Sequence, residues 1–256
     1  TINKFFRHLI VFIIPLTYIG LQLIFLDKYP IVLVDEPWYS NTAFNIAFNG
    51  QITNSLVGWR GAEELFFYPL LLAQWFKVFG VGLMQARLFS VLVGLGCLAV
   101  FTQILKRLNI SPYMIALSSV MLVFSNTFYV LARRARPEIL LLFIVLAAMY
   151  LFLSYHQTRN NKSLMGLSVV LALGFWTHPN LAVLLLIATI ALCVYVIRQK
   201  NKNAMLYLLS GESIIFALGL LGWIFFREET LLECIRQLTD SGRVGSKSMF
   251  FTNLWV

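Results

Sequence analysis

Two adjacent carboxylates, Asp35 and Glu36, stand between an apolar run and a helical segment in the stretch IVLVDEPWYSNTAFNIAFNG. A carboxylate at the edge of an apolar region is suited to act as a general base toward a hydroxyl group. The alternative is that Asp35 caps a helix beginning near Pro37, with Glu36 in the first turn, where the helix dipole favours an acid. The two interpretations are compatible, because a cap at Asp35 leaves Glu36 free for chemistry.

A cluster of arginines occupies one short turn in the stretch LARRARPEILLLF, namely Arg133, Arg134 and Arg136. Guanidinium groups bind phosphate or pyrophosphate through bidentate, charge-assisted hydrogen bonds, so this turn is a candidate phosphate site. The alternative is a surface turn that meets anionic lipid headgroups. Glu138 follows Pro137 at the start of the next helix, where the dipole favours an acid whatever the function.

His178 lies at a break between two apolar runs in the stretch FWTHPNLAVLL. Its imidazole could bind phosphate, shuttle a proton or ligate a metal, and the alternative is a histidine that only forms a local hydrogen bond. The cysteines, Cys97, Cys193 and Cys234, have no spacing typical of a metal site or a disulfide framework. They carry no functional inference.

The composition predicts which elements position these residues. Hydrophobic residues make up 59% of the 256 residues, charged residues make up 12%, and the mean hydropathy is +0.79. These values exceed those of a soluble domain and indicate a membrane protein. The net charge of +9 is distributed in short clusters between apolar runs, which argues against nucleic acid as a partner.

Apolar runs long enough to cross the hydrocarbon core predict an all-α polytopic protein of about seven transmembrane helices. The first run follows basic residues but lacks a small-residue cleavage site, so it is interpreted as an uncleaved anchor. The predicted spans are residues 9 to 26, 88 to 105, 112 to 131, 138 to 154, 164 to 177, 180 to 197 and 204 to 226.

The segment LFFYPLLLAQWFKVFG, residues 65 to 80, is apolar but short, and proline, glutamine and lysine interrupt it. We predict that it lies in the membrane interface, because most Lys and Arg of the short loops then fall on the cytoplasmic side, as the positive-inside rule requires. Every acidic residue except Glu212 then lies outside, so any chemistry is expected there. Residues 27 to 87 become a first outer loop with interfacial helices, and residues 227 to 256 begin a further outer loop or tail.

Three stretches in this order, DEPWYSNTAFNIAFNG, YPLLLAQWFKVFG and QARLFSVLVGLGCLAVF, resemble the membrane glycosyltransferases related to protein O-mannosyltransferases and to the lipid A aminoarabinose transferase. The resemblance covers roughly residues 8 to 200. It implies a GT-C-like fold, with residues 1 to 256 as one transmembrane glycosyltransferase domain that continues beyond this point in relatives. It also implies a multi-pass protein of the bacterial cytoplasmic membrane with an outward-facing active site.

The activity that the resemblance implies is transfer of a sugar from a polyprenyl phosphate to a lipid, glycan or protein hydroxyl, with inversion at the anomeric carbon. The family's first-loop acid falls on Asp35 or Glu36, and its second-loop acid falls on Glu138. The donor phosphate would meet Arg87, the basic turn at Arg133, Arg134 and Arg136, and His178, where many relatives have lysine. Tyr39 and Trp38 would contact the acceptor or the sugar. No cofactor is certain, and a divalent cation is possible: Glu36 or Glu138 would orient the acceptor or hold a hard cation through oxygen ligands.

Two other functions compete with the transferase. A transporter or flippase of a lipid-linked or anionic substrate would use the intramembrane Glu212 and the outer arginines as a path. The predicted spans are mostly uninterrupted and show no repeated halves, which favours the transferase. The third possibility is a relative that only binds a lipid-linked sugar or assembles with a partner.

Overall fold

The computed structural model describes residues 9–33, 35–52, 54, 67–177, 179–198 and 202–226. Within these ranges the chain forms helices and their connections, and no strand occurs. This confirms the predicted all-helical class. His178 and residues 227 to 256 lie outside the described residues, as does the middle of the predicted first outer loop.

The first part of the chain contains three helices of 10 to 13 residues. Helix α1 (Ile14–Leu23) continues a π-helical turn at Leu9–Ile13, and helix α3 spans Phe67–Phe79. Between them, helix α2 (Asp35–Phe44) runs into a second π-helical turn that ends at Gly50. Gly50 has φ 70°, the left-handed conformation in which a glycine commonly ends a helix.

The next part contains two long apolar helices with two short helices between them. Helix α4 spans Leu83–Arg107, α5 spans Pro112–Val123, α6 spans Asn126–Arg133 and α7 spans Pro137–Thr158. The hydroxyl groups of Ser111 and Ser125 accept hydrogen bonds from the backbone at the starts of α5 and α6. Serine caps followed by a first-turn proline or polar residue are typical helix starts.

The last described helices are α8 (Asn161–Phe175), α9 (Pro179–Arg198) and α10 (Lys202–Phe226). Helix α8 turns back along α7. Ser154 and Ser163 hydroxyls lie 3.1 Å apart at one end of the α7–α8 pair. At the other end, the amide of Phe67 donates to the Trp176 carbonyl at 3.1 Å. The end of α8 therefore lies beside the start of α3.

Two described helices, α4 and α7, are long and apolar enough to cross a membrane, and the number rises to three if α5 and α6 form one span. The predicted span over residues 112 to 131 is not straight, because α5 and α6 meet at an angle of 61°. The remaining apolar helices are shorter over their described residues, at Leu9–Leu23, Asn161–Phe175, Ile187–Arg198 and Asn203–Leu218. The seven predicted spans thus correspond to helical segments of unequal length.

Large apolar side chains face outward along these helices, with Leu16, Val78, Met121 and Leu206 each more than half exposed. A soluble monomer rarely exposes so much contiguous apolar surface, and a membrane helix does so toward lipid. The helices that contact one another use small residues where they approach closely. Gly94 of α4 leaves room for the Tyr18 hydroxyl, which donates to the Val91 carbonyl at 2.9 Å.

Candidate functional site

The centre of the candidate site is a buried ion pair between Glu36 and Arg87. Both side chains are fully buried. Arg87 Nε donates to Glu36 Oε1 at 3.0 Å, and Arg87 Nη2 donates to Glu36 Oε2 at 2.9 Å. This is the bidentate geometry in which a guanidinium matches both oxygens of a carboxylate.

The same two side chains bind backbone groups from two other segments. Arg87 donates to the carbonyls of Leu26 at 2.7 Å and Pro30 at 2.8 Å. Glu36 accepts from the Ala135 amide at 2.9 Å and from the Leu33 amide at 3.4 Å. The pair therefore joins the segment after α1, the start of α2, the start of α4 and the turn before α7.

A fully buried pair of this kind has consequences for both predicted roles. Removing charges from water is costly, and the pair is maintained because each group has several partners of opposite polarity. In this arrangement Glu36 has no exposed surface for an acceptor, and the Arg87 guanidinium is turned toward backbone carbonyls. The geometry suits a role in positioning the surrounding segments.

Asp35, one residue earlier, lies in a different environment. Its side chain is half exposed, and Arg136 Nη2 contacts Asp35 Oδ2 at 2.9 Å and Glu138 Oε1 at 2.5 Å. Arg136 and Glu138 are each about a quarter exposed. Helix α2 begins at Asp35 itself, two residues before the predicted start, so both acids lie in the first turn. The structure therefore brings together Asp35, Glu138 and Arg136 from two of the predicted clusters.

The arginines of the turn before α7 have separate environments. Arg133 is fully buried, and its guanidinium donates to the Leu21 and Ile24 carbonyls and to the Tyr129 hydroxyl. Leu21 and Ile24 lie at the carboxyl-terminal end of α1, where unpaired carbonyls and the helix dipole favour a cation. Arg133 thus stabilises the end of a helix, whereas Arg134 and Arg136 are partly exposed.

Several buried polar atoms near this turn have no hydrogen-bond partner among the described residues. They are Arg133 Nε, Arg134 Nε, Arg136 Nε and Glu138 Oε2. Buried polar atoms in folded proteins are nearly always paired, so a concentration of unpaired ones on neighbouring side chains is unusual. Three are cationic donors, and an anionic ligand near the partly exposed Arg134 and Arg136 is the chemical complement that would satisfy theirs.

Trp38 and Tyr39 lie three and four residues after Asp35, which places them on the same face of α2. Both side chains are half-buried, and the Tyr39 ring meets the Tyr68 ring edge to face with centroids 5.7 Å apart. Tyr68 is fully buried, and burial raises its pKa, so its phenol stays protonated beside Ser90 at 3.4 Å. An aromatic surface next to the carboxylate suits a sugar ring.

Sequence reasoning missed the role of the backbone at this site. Glu36 accepts from the Ala135 amide, and Arg87 donates to the Leu26 and Pro30 carbonyls. Because any residue type can supply a backbone amide or carbonyl, the sequence does not indicate these contacts. Tyr68 could have been noticed as the tyrosine beside Pro69.

His178 lies outside the described residues. In the described part of the chain, no three His, Cys, Asp or Glu side chains are close enough to hold a metal ion.

Comparison with known proteins gives one match. A search of curated proteins found no match, and neither did a search of solved structures. The family model for dolichyl-phosphate-mannose-protein mannosyltransferase matches residues 34–230, which is well over half of the chain. That range begins just before Asp35 and includes the charged side chains of the candidate site, namely Asp35, Glu36, Arg87, Arg133, Arg134, Arg136 and Glu138. The chain therefore belongs to the dolichyl-phosphate-mannose-protein mannosyltransferase family, and it is an integral membrane protein of the glycosyltransferase type.

Proposed function

We propose that this protein transfers a sugar from a polyprenyl phosphate donor to a hydroxyl group of a lipid, glycan or protein acceptor. The observation that carries the proposal is the half-exposed Asp35 carboxylate, held by Arg136 next to Glu138. This cluster combines a base that solvent can reach with a cation that a phosphate can reach. Family membership supplies the reaction class.

The proposed reaction is a single displacement at the anomeric carbon. Asp35 takes the proton of the acceptor hydroxyl as that oxygen forms its bond to the sugar. The bond between the anomeric carbon and the phosphate oxygen breaks, and the polyprenyl phosphate leaves with the electron pair. Because the acceptor attacks opposite the leaving group, the product has the inverted configuration.

Arg136 and Arg134 are the proposed partners of the donor phosphate. The negative charge on the leaving phosphate grows as the bond breaks, and guanidinium groups placed there stabilise that charge. Arg136 Nη2 is shared between Asp35 and Glu138. A donor phosphate would compete for Arg136 and release the Asp35 carboxylate toward the acceptor. The unpaired Nε atoms of Arg134 and Arg136 support this assignment.

Glu138, Trp38 and Tyr39 are proposed to orient the substrates. Glu138 Oε2 has no partner among the described residues and could accept a hydrogen bond from a sugar or acceptor hydroxyl. Trp38 and Tyr39 would pack against the sugar ring, and His178 would add a further phosphate contact. Arg136 supplies positive charge between the two carboxylates.

We place the reaction on the outer face of a bacterial cytoplasmic membrane. Asp35, Glu36 and Glu138 lie at one end of the helices, whereas the connections at the other end are rich in Lys and Arg. The positive-inside rule assigns the basic end to the cytoplasm.

The decisive experiment follows radiolabelled polyprenyl phosphate sugars in membranes that contain the full-length protein. Asp35→Asn should lower label transfer by about 10²–10⁴-fold, the typical contribution of a general base. Asp27→Asn, an exposed acid outside the cluster, is the matched control and should retain transfer. Substantial transfer by Asp35→Asn would remove the base from the proposal. Label that crosses the bilayer without being transferred would favour the transporter instead.

A further inference from the structure

A second candidate site lies between α7, α8 and α9. These helices enclose an apolar cavity of about 460 Å³, open on one side, whose lining includes Met149, Phe152, Leu171, Ala188, Ala191 and Tyr195. Ala188 and Ala191 have small side chains, which leave space in the cavity beside α9. The cavity lining is almost entirely apolar, as a hydrocarbon chain requires.

One end of this groove carries cationic side chains. The Tyr195 ring lines the groove, and its hydroxyl lies 2.7 Å from His156 Nδ1 and accepts from Arg159 Nη1 at 3.1 Å. The Arg159 guanidinium also lies over the Tyr195 ring, 5.8 Å from its centroid. His156 and Arg159 are exposed at the carboxyl-terminal end of α7. The groove thus runs from an apolar interior to a cationic rim.

Arg159 occupies a backbone conformation that argues for a specific role. Its φ is 55°, in the left-handed region, and its amide donates to the Tyr155 carbonyl at 2.8 Å to end the helix. Glycine or asparagine normally fills this position, because a larger side chain costs about 1–2 kcal/mol there. An arginine in this place sets its guanidinium over the two tyrosine rings at the mouth of the groove.

The rim is also free of acidic partners. No salt bridge to Arg159 occurs in the described part of the chain. The sequence from His156 to Lys162 and from Tyr195 to Lys202 contains no Asp or Glu. The cationic charge at this end is therefore available to an anion from outside the protein.

This groove is remote from the site at Asp35. Residues Glu138 and Arg159 lie at opposite ends of α7, and at 1.5 Å per residue the helix separates them by about 30 Å. That length matches the hydrocarbon thickness of a bilayer. A ligand at Arg159 would reach the protein from the opposite membrane surface.

We propose that the groove binds an anionic phospholipid, with an acyl chain along α9 and the headgroup phosphate at Arg159 and His156. The apolar walls match the chain, the cationic rim matches the phosphate, and Tyr195 joins the two regions. The site is distinct from the proposed transfer reaction and does not depend on it. Bound lipid would pack α9 against α7 and α8.

The test uses the full-length protein in detergent, with added dioleoyl-phosphatidylglycerol or dioleoyl-phosphatidylcholine, and follows lipid binding by native mass spectrometry and by thermal unfolding. Phosphatidylglycerol should bind more tightly and raise the melting temperature more than phosphatidylcholine. Arg159→Asn removes the charge but suits the left-handed backbone, and it should weaken phosphatidylglycerol binding about fivefold. Ala191→Phe, which fills the groove, should weaken both lipids.

Matched controls separate this site from general surface effects. Lys106→Gln removes an exposed cation at the same end of the molecule, and Ile190→Phe enlarges an exposed apolar residue of α9 outside the groove. Both should bind phosphatidylglycerol as the unmodified protein does. Equal stabilisation by the two lipids, or equal loss of binding in Arg159→Asn and Lys106→Gln, would overturn the proposal. So would unchanged binding in Ala191→Phe.

Discussion

Adjacent acids at the start of α2 have opposite environments because the helix turns about 100° per residue. Glu36 points into the protein and meets Arg87, while Asp35 points outward and meets Arg136. The buried acid connects segments, and the exposed acid can reach a substrate. At the scale of single residues, the site thus separates a buried carboxylate from one that solvent reaches.

Glu36→Gln should destabilise the protein strongly although the side chain keeps its shape. Both carboxylate oxygens accept only from N–H donors, so the amide nitrogen of glutamine must face a donor in either orientation. Breaking a buried pair in this way costs about 3–5 kcal/mol. The measurement is thermal unfolding in detergent. Asp35→Asn is the matched control and should unfold near the wild-type temperature, because Asp35 is half exposed. Equal stability of the two variants would contradict the structural role of Glu36.

Arg136→Ala should weaken donor binding more than acceptor binding. A charge-assisted hydrogen bond to phosphate contributes about 1.5–3 kcal/mol, which corresponds to a rise of about 10- to 100-fold in KM for the donor. The measurement is initial transfer rates in membranes with donor and acceptor varied separately. Lys28→Ala removes an exposed cation near Asp27 and should leave both KM values unchanged. Parallel rises in both KM values would argue against a phosphate contact.

The sequence indicates which charged residues belong to the candidate site. It does not indicate which of them are buried and which are exposed. Local sequence patterns indicate three site residues, Asp35, Glu138 and Arg136, and the structure brings them together. The burial of Arg133 depends on carbonyls more than 100 positions earlier in the chain. No local pattern distinguishes Arg133 from Arg136, because both belong to the same run of basic residues.

The bend between α5 and α6 is the main feature that positions the site at the scale of elements. Helix α5 ends at Val123, and the Ser125 hydroxyl accepts from the Phe128 amide to begin α6 at an angle of 61°. The bend directs the end of α6 toward α1, where Arg133 reaches the last carbonyls of that helix. Hydropathy predicted one span over residues 112 to 131, because the apolar character continues across the break.

Gly94→Ala should loosen the contact between α1 and α4. A Cβ atom at Gly94 would collide with the Tyr18 hydroxyl and lie 3.0 Å from the Ala132 side chain. Overpacking of a close helix contact costs about 1–3 kcal/mol, so the melting temperature in detergent should fall. Gly20→Ala is the matched control, since nothing lies within 4 Å of the added atom. A melting temperature in Gly94→Ala equal to that of Gly20→Ala would show that α1 and α4 are not tightly packed.

At the scale of the whole molecule, the acidic residues of the candidate site lie at one end of the helices, with Arg87 and the arginines of the turn before α7, and exposed basic residues lie at the other end. Asp35, Glu36 and Glu138 gather where α2, α4 and α7 begin. The end at which α4 and α7 finish is joined by hydrogen bonds between Arg107 and Gln157. Among the described residues, exposed Lys and Arg at that end include Lys106, Arg159, Lys162 and Arg198. This distribution of charge was predictable, because the sequence itself gives charge and hydropathy. The lengths of the segments that cross the membrane were not predictable, because they depend on how the helices pack.

Labelling of single cysteines should show that the two ends of α4 and α7 face opposite sides of the membrane. Val81, just before α4, is exposed near the acidic end, while Ile110 and Thr158 are exposed near the basic end. A membrane-impermeant maleimide should label Val81→Cys in intact cells but reach Ile110→Cys and Thr158→Cys only after permeabilisation, because the basic end belongs in the cytoplasm. The unmodified protein, with Cys97, Cys193 and Cys234, sets the background. The reverse pattern would move the candidate site to the cytoplasmic face, and labelling of all three positions from one side would mean that α4 and α7 do not cross the membrane.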